Sequence, residues 1–271
     1  MRWSGVSGAK GYFIYRRTDA SEQYTVAGAS QAESYTDVRL AIGTTYYYRV
    51  SAYNSDADES PLSLEASAST QVINKIVGKF TDSRDGKEYK TATIGGKTWM
   101  AENLNYDPQR GNSWCYDDVE ANCGDYGRLY DWATAMNINT SFNNAELGGD
   151  DSNRQGVCPA GWRLPSVQDW EDLGEAAGGY YADGTGNRLK ATNGWRENGN
   201  GTDDYGFSAL PGGSYDYRNG SFNVNGYHGQ WWTATERNRS AEHRAMSYNS
   251  NNVTGQGDAK SYGFSVRCVR N

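Results

Sequence analysis

Acid–base chemistry near neutral pH would depend on the histidines of this chain. His228 and His243 are the only two in 271 residues, and both lie in an Asn- and Tyr-rich stretch near the end. A Ser-His-Asp arrangement is compatible with the many Ser and Asp residues, but no Gly-x-Ser-x-Gly elbow is present. Histidines in such polar stretches are mostly surface residues, so the sequence does not predict a hydrolase of this type.

Glycoside hydrolysis would need two carboxylates about 5–9 Å apart across a cleft. Glu171, Asp172 and Glu175 lie opposite the apolar side of a predicted helix, which is typical of a solvated face. Glu236 follows two tryptophans and is the one acid with catalytic potential. Its alternative role is to accept backbone hydrogen bonds in a buried turn. We therefore predict that the protein is not an enzyme.

Carboxylate and amide oxygens of the kind that bind calcium occur in residues 198–204, NGNGTDD. Asp203 and Asp204 are candidate ligands of a structural calcium ion, and a plain turn rich in Asn and Asp is the alternative. No other cofactor is expected, because the chain has neither a Walker loop nor a dinucleotide-binding loop.

The four cysteines, at positions 115, 123, 158 and 268, form no Cys-x-x-Cys pair. This spacing gives little support to a zinc site or a thioredoxin-like site. An even number of cysteines in such a polar, turn-rich chain favours disulfides in an oxidising compartment. The residues alone leave three pairings open, and free buried thiols in a cytosolic protein are the alternative.

The charge balance excludes some classes of partner. Lys and Arg total 26 against 33 Asp and Glu, a net charge of −7, which disfavours nucleic-acid binding. No apolar run is long enough to span a membrane, so no membrane span is expected. No signal peptide follows Met1, so an exported protein would need an export signal that this chain does not contain.

Two regions of different character are expected. The alternating pattern of residues 1–70 predicts β-strands, among them strands at 11–17 and 44–53. In the second of these strands, the residues expected to be buried are Tyr46, Tyr48, Val50 and Ala52. Residues 66–76 resemble a last strand running into a linker at 71–76. A second unit is predicted at 77–271.

Helices and short strands are mixed in that second unit. Apolar residues at helical spacing predict a helix over 126–137 and another over 166–177, the latter with Ser166 as N-cap. Strands are predicted at 231–234, 244–248 and 264–269.

The first 70 residues resemble a fibronectin type III domain. The resemblance rests on Trp3, on the segments 11–15 (GYFIY), 35–37 (YTD) and 48–54 (YRVSAYN), and on 40–46 (LAIGTTY), which resembles a tyrosine corner. A complete sandwich needs one more strand before Trp3, so the resemblance implies a partial all-β sandwich.

Residues 77–271 resemble the Fibrobacter succinogenes major paralogous domain. The segments that carry this resemblance, in order, are 94–106 (IGGKTWMAENLNY), 114–118 (WCYDD), 126–132 (YGRLYDW), 158–166 (CPAGWRLPS), 206–213 (GFSALPGG), 231–236 (WWTATE) and 262–270 (YGFSVRCVR). Segments 162–165 and 263–270 also resemble the C-type-lectin-like superfamily near its formylglycine-generating branch. The fold implied is an α+β C-type-lectin-like domain with two helices and short antiparallel strands.

Several features are implied by this resemblance. A disulfide Cys158–Cys268 would tie the segment before a helix to the last strand, which leaves Cys115–Cys123 as a local pair. The catalytic cysteines of the formylglycine-generating branch have no counterpart between residues 212 and 262. Ligands would bind on the face made by residues 214–262, and the candidate ligand-binding residues are Tyr215, Tyr217, Tyr227, His228, Asn238, Arg239, His243, Arg244, Tyr248, Asn249, Asn251 and Asn252.

The function predicted is a non-catalytic binding or adhesion protein, extracellular or on the cell surface, with a polysaccharide or a surface protein as ligand. Tyr with Asn, Ser and Arg is typical of recognition surfaces. A polar surface without a ligand, as in a structural coat protein, is one alternative. A carbohydrate-active enzyme with an accessory domain is another.

Residues 237–258 also resemble the Asn- and Tyr-rich regions of lectin-like proteins diversified by retroelements. The tripeptides of calcium-bridged sugar binding, Glu-Pro-Asn and Gln-Pro-Asp, do not occur.

Overall fold

The chain folds into two compact units in a computed structural model, Met1–Ile73 and Asn74–Asn271. The structure describes residues 1–19, 22–37, 40, 43–56, 58–70, 75–149, 153–180 and 184–271. Of the predicted linker, residues 71–74 lie outside these described residues, and the first strand of the second unit begins at Ile76.

The first unit is built on one antiparallel sheet with the strand order β2-β1-β3-β4. Its strands are β1 (Gly11–Arg17), β2 (Thr25–Ser30), β3 (Thr45–Tyr53) and β4 (Ala66–Ser69). Ile14, Tyr46 and Tyr48 form its buried core. The expected alternation in β3 is correct at Tyr46, Tyr48 and Ala52, but Ser51 is buried and Val50 is only half-buried.

A partial sandwich was expected here, but the described residues of this unit form a single sheet. Of the predicted tyrosine corner, Ala41 and Ile42 lie outside the described residues. Tyr48 at the centre of the sheet donates a hydrogen bond of 2.8 Å to Asp37, which also accepts hydrogen bonds from Arg16.

The second unit contains the larger sheets. Its strands are β5 (Ile76–Thr81), β6 (Glu88–Ile94), β7 (Lys97–Met100), β8 (Ser113–Trp114), β9 (Leu129–Tyr130), β10 (Ser214–Asp216), β11 (Ser221–Asn223), β12 (His228–Arg237), β13 (Ser240–Ser247), β14 (Thr254–Ala259), β15 (Phe264–Ser265) and β16 (Val269–Arg270). One sheet has the order β14-β13-β12-β15-β9-β8, a second has β16-β7-β6-β5, and β10 pairs with β11. Because β12 and β15 are parallel, the six-stranded sheet is mixed.

Helices are short in the described residues of this unit. They are α1 (Glu120–Tyr126), α2 (Trp132–Ala135), α3 (Val167–Ala176) and α4 (Thr185–Leu189), with 3₁₀ turns at Tyr116–Asp118 and Thr140–Asn143. Helix α3 begins where the sequence predicts, because Ser166 and Asp169 form a reciprocal capping box. Tryptophans dominate the core on both sides of β12, where Trp231 and Trp232 are fully buried.

The predicted fold class, an α+β C-type-lectin-like domain with two helices after a partial all-β sandwich, is wrong. Strands and bridges make up 35% of the described residues and helices 13%, and these residues contain four α-helices rather than two. The predicted helix over 126–137 is broken, because Gly127 takes a φ of 75° and Asp131 caps a new helix after the strand β9. Its apolar residues are buried, as predicted, but they lie on a two-residue strand and a single helical turn.

Candidate functional site: a cleft beside the edge strand β14

A cleft of about 600 Å³ lies between α3 and the strands β12, β13 and β14. The β12–β13 hairpin forms its floor, and Val167 and Glu171 of α3 form one wall. The other side is open along β14, the last strand of the six-stranded sheet. We call this the β14 cleft. Its volume is in the range of small-ligand sites in proteins.

Two charged side chains of β13 face the cleft and are almost completely buried. Glu242 is 7% exposed and Arg244 is 4% exposed. They stand two residues apart on a strand and so project from the same face of the sheet. Arg244 Nη1 donates to Glu242 Oε2 at 3.3 Å and to the carbonyl oxygen of His243 at 3.0 Å.

Two polar atoms of this pair make no hydrogen bond. Arg244 Nε and Glu242 Oε1 are buried and have no hydrogen-bond partner. Glu242 Oε1 lies 2.9 Å from Nε of the exposed Arg237, a close ion pair without hydrogen-bond geometry. Buried polar atoms without partners are uncommon in proteins, and here they line a cleft large enough for a ligand.

The register of β14 explains how these side chains reach the edge of the sheet. Gly255 pairs with Arg244 and Gly257 pairs with Glu242, so both glycines lie on the cleft side. A Cβ atom on Gly255 would lie 2.5 Å from Arg244 Nη1. The absence of a side chain at this position lets the guanidinium extend across the edge strand.

His243 faces the opposite side of the same sheet. Its ring is fully buried against Phe264 and Trp232, with centroid separations of 4.7 Å and 6.1 Å. Nδ1 lies 3.5 Å from Asp258 Oδ2, and neither ring nitrogen has a hydrogen-bond partner. Burial, helped by the charge of Arg244, lowers the pKa of His243 to about 4, so the ring is neutral at neutral pH.

The predicted ligand-binding residues do not form one surface. Arg244 and Asn252 line the β14 cleft, whereas His243 is buried on the other side of the sheet. Asn238 and Arg239 are exposed at the turn between β12 and β13.

A second group of these residues lies around the turn after β13. Tyr227 packs edge-to-face against Tyr248 at 5.1 Å, and His228 lies 6.5 Å from the same ring. Asn249 is exposed, and the backbone carbonyl of Asn251 accepts a hydrogen bond from the amide of Asn187.

The buried Lys190 supports this turn from below. Its Nζ donates to the carbonyl oxygens of Ser247 and Ser250 at 3.1 and 3.0 Å. Burial lowers the pKa of Lys190 to about 8. The turn is therefore held by a fixed ammonium group.

A third group is on the β10–β11 hairpin. Tyr215 stacks on Trp114 with ring centroids 4.1 Å apart, and Tyr217, 45% exposed, packs edge-to-face on Tyr262. Arg218 lies over Tyr262 and pairs with Asp216. The aromatic side chains of this hairpin therefore pack mainly on aromatic rings outside it.

Sequence reasoning missed Glu242, Gly255 and Gly257. The charged residues Glu242 and Arg244, two positions apart at and just before the start of the strand predicted over 244–248, were an available signal. The two glycines two positions apart in β14 were a second signal, but their meaning depends on pairing with β13.

Glu236 has the structural role that the sequence offers as its alternative. Its carboxylate accepts hydrogen bonds from the amides of Leu147 and Gly148 at 2.8 Å, and from the fully buried Lys260. Burial raises the pKa of Glu236, but these hydrogen bonds outweigh it and hold the pKa below its ordinary value. The carboxylate is ionised and paired, which does not suit a general acid.

The candidate calcium ligands have protein partners. Asp203 accepts hydrogen bonds from the amide and the hydroxyl of Ser208 at 2.7 and 2.8 Å. Asp204 lies 4.0 Å from Nε of Arg188. These contacts stabilise the turn before Phe207, and a calcium ion at this position stays a prediction.

Both disulfides implied by the resemblance are present. Cys115 pairs with Cys123 across a local loop, and Cys158 pairs with Cys268 over a sequence separation of 110. The second disulfide is completely buried and joins the segment before α3 to the end of the chain. Two structural disulfides are typical of proteins from an oxidising compartment.

Membrane insertion through a helix finds no support in the residues that the structure describes, since none of their helices is long and apolar enough.

Fold and site together define a disulfide-bonded, mostly β domain with a polar cleft at a sheet edge. The chain belongs to the Fibrobacter succinogenes major domain family, whose model matches residues 92–270. A poly(3-hydroxybutyrate) depolymerase from Ralstonia pickettii is 37% identical over 71 residues, which are 26% of this chain. The matched part is 13% of that depolymerase. No solved structure shows significant similarity to the chain.

Proposed function

We propose that this protein is a non-catalytic binding protein, extracellular or on the cell surface, whose ligand binds in the β14 cleft. The observation that carries the proposal is Arg244 Nε, which is buried without a hydrogen-bond partner beside Glu242, whose Oε1 has an ion pair with the exposed Arg237 but no hydrogen bond. Each unpaired buried polar group costs about 1–3 kcal/mol, more where charged. A ligand that offers an acceptor to Arg244 would recover that free energy, and a donor from the ligand would give Glu242 Oε1 a hydrogen bond in addition to its ion pair with Arg237.

Other features support parts of the proposal. The two disulfides suit export. Glu236 is the one acid to which the sequence gives catalytic potential, and its hydrogen-bonded, ion-paired carboxylate supports a non-catalytic role. The cleft carries charges of both signs, Arg237 and Arg244 against Glu171 and Glu242, which suits a polymer of low net charge.

The test is binding of the full chain to an array of glycans, cell-surface polymers and peptides, with calcium and with a chelator. Glu242→Gln keeps the shape of the side chain but removes its charge, and we expect it to weaken binding about tenfold. Arg239→Ala, at the exposed hairpin turn, is the matched control and should bind like the wild type. Thermal melting of each variant checks that the fold is retained.

Two results would contradict the proposal. Loss of binding in Tyr248→Ala or Asn249→Ala, with Glu242→Gln unaffected, would move the site to the turn after β13. Absence of binding to every class on the array would argue for a structural coat protein instead.

A further inference from the structure

We infer that the ligand of the β14 cleft is an extended polypeptide segment that adds a strand to the six-stranded sheet along β14. This inference rests on the proposed function, because it concerns the same cleft and assigns the chemical class of its ligand. Main-chain hydrogen bonds would supply affinity, and side chains that enter the cleft would supply specificity.

The first support is the state of the β14 edge. Within the described residues, β14 pairs only with β13, and Thr254–Gly257 are exposed. Natural sheets usually protect such an edge with Lys, Pro, a bulge or a covering segment. The six residues of β14, TGQGDA, contain neither Lys nor Pro and pair with β13 in continuous register. The one charged residue of β14, Asp258, lies near the end of the strand, so the regular stretch Thr254–Gly257 is suited to pairing with another strand.

The second support is the pair of glycines. On the cleft face of β14, Gly255 and Gly257 lie opposite Arg244 and Glu242 of β13. The Cβ position of Gly255 is 2.5 Å from Arg244 Nη1, and that of Gly257 is 3.9 Å from Glu242 Oε1. The Arg244 side chain therefore crosses over β14, and the Glu242 carboxylate lies beside Gly257.

The spacing of these groups matches a β-strand ligand. Glu242 and Arg244 are two residues apart, and an added strand would present side chains to the same face at the same interval, about 7 Å. Complementarity requires an acidic side chain opposite Arg244 and, two residues away, a basic or amide side chain opposite Glu242. These contacts would give Arg244 Nε a hydrogen-bond partner and would add a hydrogen bond to Glu242 Oε1, which has only its ion pair with Arg237.

The lining of the cleft favours a peptide over a polysaccharide. A sugar ring usually binds with its apolar face on an exposed aromatic ring. Among the described residues that line the cleft, Tyr180 is the only aromatic one, and it is 5% exposed. The Arg244 guanidinium lies 5.8 Å from the Tyr180 ring centroid, so the ring belongs to the wall rather than to a platform.

The experiment selects peptides from a random library displayed on phage against the immobilised full chain. We expect enriched peptides with an acidic residue two positions from a basic or amide residue. N-methylation of alternate peptide amides should weaken binding about tenfold for each donor removed, and methylation of the amides between them should not. Gly255→Val should abolish binding by filling the groove, whereas Asn249→Ala should bind like the wild type.

A second set of variants tests the assigned contacts and guards against misfolding. Arg244→Gln should remove the preference for the acidic residue and retain the N-methylation pattern. Gly255→Val must melt within a few degrees of the wild type, and otherwise Gly255→Ala, whose Cβ displaces only the flexible end of Arg244, replaces it.

Other outcomes separate the inference from the proposed function. Glycan binding that is lost in Glu242→Gln, without peptide enrichment, would overturn the peptide inference and retain the binding function. Concentration-dependent dimers that Gly255→Val abolishes would replace the peptide with a second copy of the chain. Binding of neither glycan nor peptide would overturn both.

Discussion

Asp169 links the start of helix α3 to two cations. It caps the helix with Ser166, accepts a hydrogen bond of 2.7 Å from Lys97 and pairs with both terminal nitrogens of Arg163. Its side chain is only 3% exposed. Burial raises the pKa of Asp169, but the hydrogen bonds from Arg163 and Lys97 reverse this and hold the pKa well below its usual range.

Replacing Asp169 should therefore destabilise the fold strongly. Asp169→Asn leaves the two cations without their buried counter-charge, and we expect a loss of about 3–5 kcal/mol in the free energy of unfolding. Asp172→Asn is the control, because Asp172 also pairs with Lys97 but is 44% exposed, and it should cost less than about 1 kcal/mol. Urea unfolding measures both. Similar losses in the two variants would contradict this account.

His243 should make stability depend on pH. Its pKa is about 4 in the folded protein and about 6.5 in an unfolded chain, so the unfolded chain binds a proton more readily. The free energy of unfolding should be unaffected by this group above about pH 6.5 and fall by roughly 3 kcal/mol between about pH 6.5 and 4. Asp258, whose pKa is raised by burial, acts in the opposite sense near its own ordinary pKa.

The measurement is urea unfolding of the wild type and His243→Gln at several pH values between 7 and 4. Between pH 7 and 5, the free energy of unfolding should fall much less in the variant than in the wild type. This should hold even if the variant is less stable at pH 7. An identical pH dependence in both proteins would show that other groups, such as the half-buried His228, cause the decline.

At the scale of secondary-structure elements, the sequence predicts those features that depend on residues close together in the chain. Helix α3 follows from Ser166, Asp169 and apolar spacing, all within a few residues. The helix predicted over 126–137 fails because helical spacing also arises in a buried segment that changes from strand to helix at Asp131. The β14 cleft was not predictable, because it depends on which residue of β14 lies opposite Arg244.

The two disulfides close loops of very different lengths. Cys158–Cys268 closes a loop of 110 residues and Cys115–Cys123 a loop of 8. On the chain-entropy model their contributions are about 4–5 and 2–3 kcal/mol. Replacing each pair by serines should lower the free energy of unfolding in that order, as measured by urea unfolding without reductant. Equal losses would show that local packing, rather than loop length, sets the contribution.

At the scale of the whole molecule, the disulfides and the buried clusters are unevenly distributed between the two units. The second unit contains both disulfides and two large clusters of buried residues around the tryptophans. The first unit has a small core around Ile14, Tyr46 and Tyr48, and all four cysteines lie outside it. Less buried apolar surface gives less stabilisation, so the first unit should be the weaker of the two.

Calorimetry of the full chain should therefore show two transitions, with the first unit unfolding at the lower temperature. A fragment of residues 75–271 should retain the upper transition within a few degrees, and reductant should lower that transition only, because the disulfides lie in the second unit. A single transition that moves as a whole on reduction would mean that the two units unfold cooperatively. Retention of the upper transition would in turn allow ligand binding in the β14 cleft to be detected as a shift of that transition alone, since a ligand stabilises the unit that binds it.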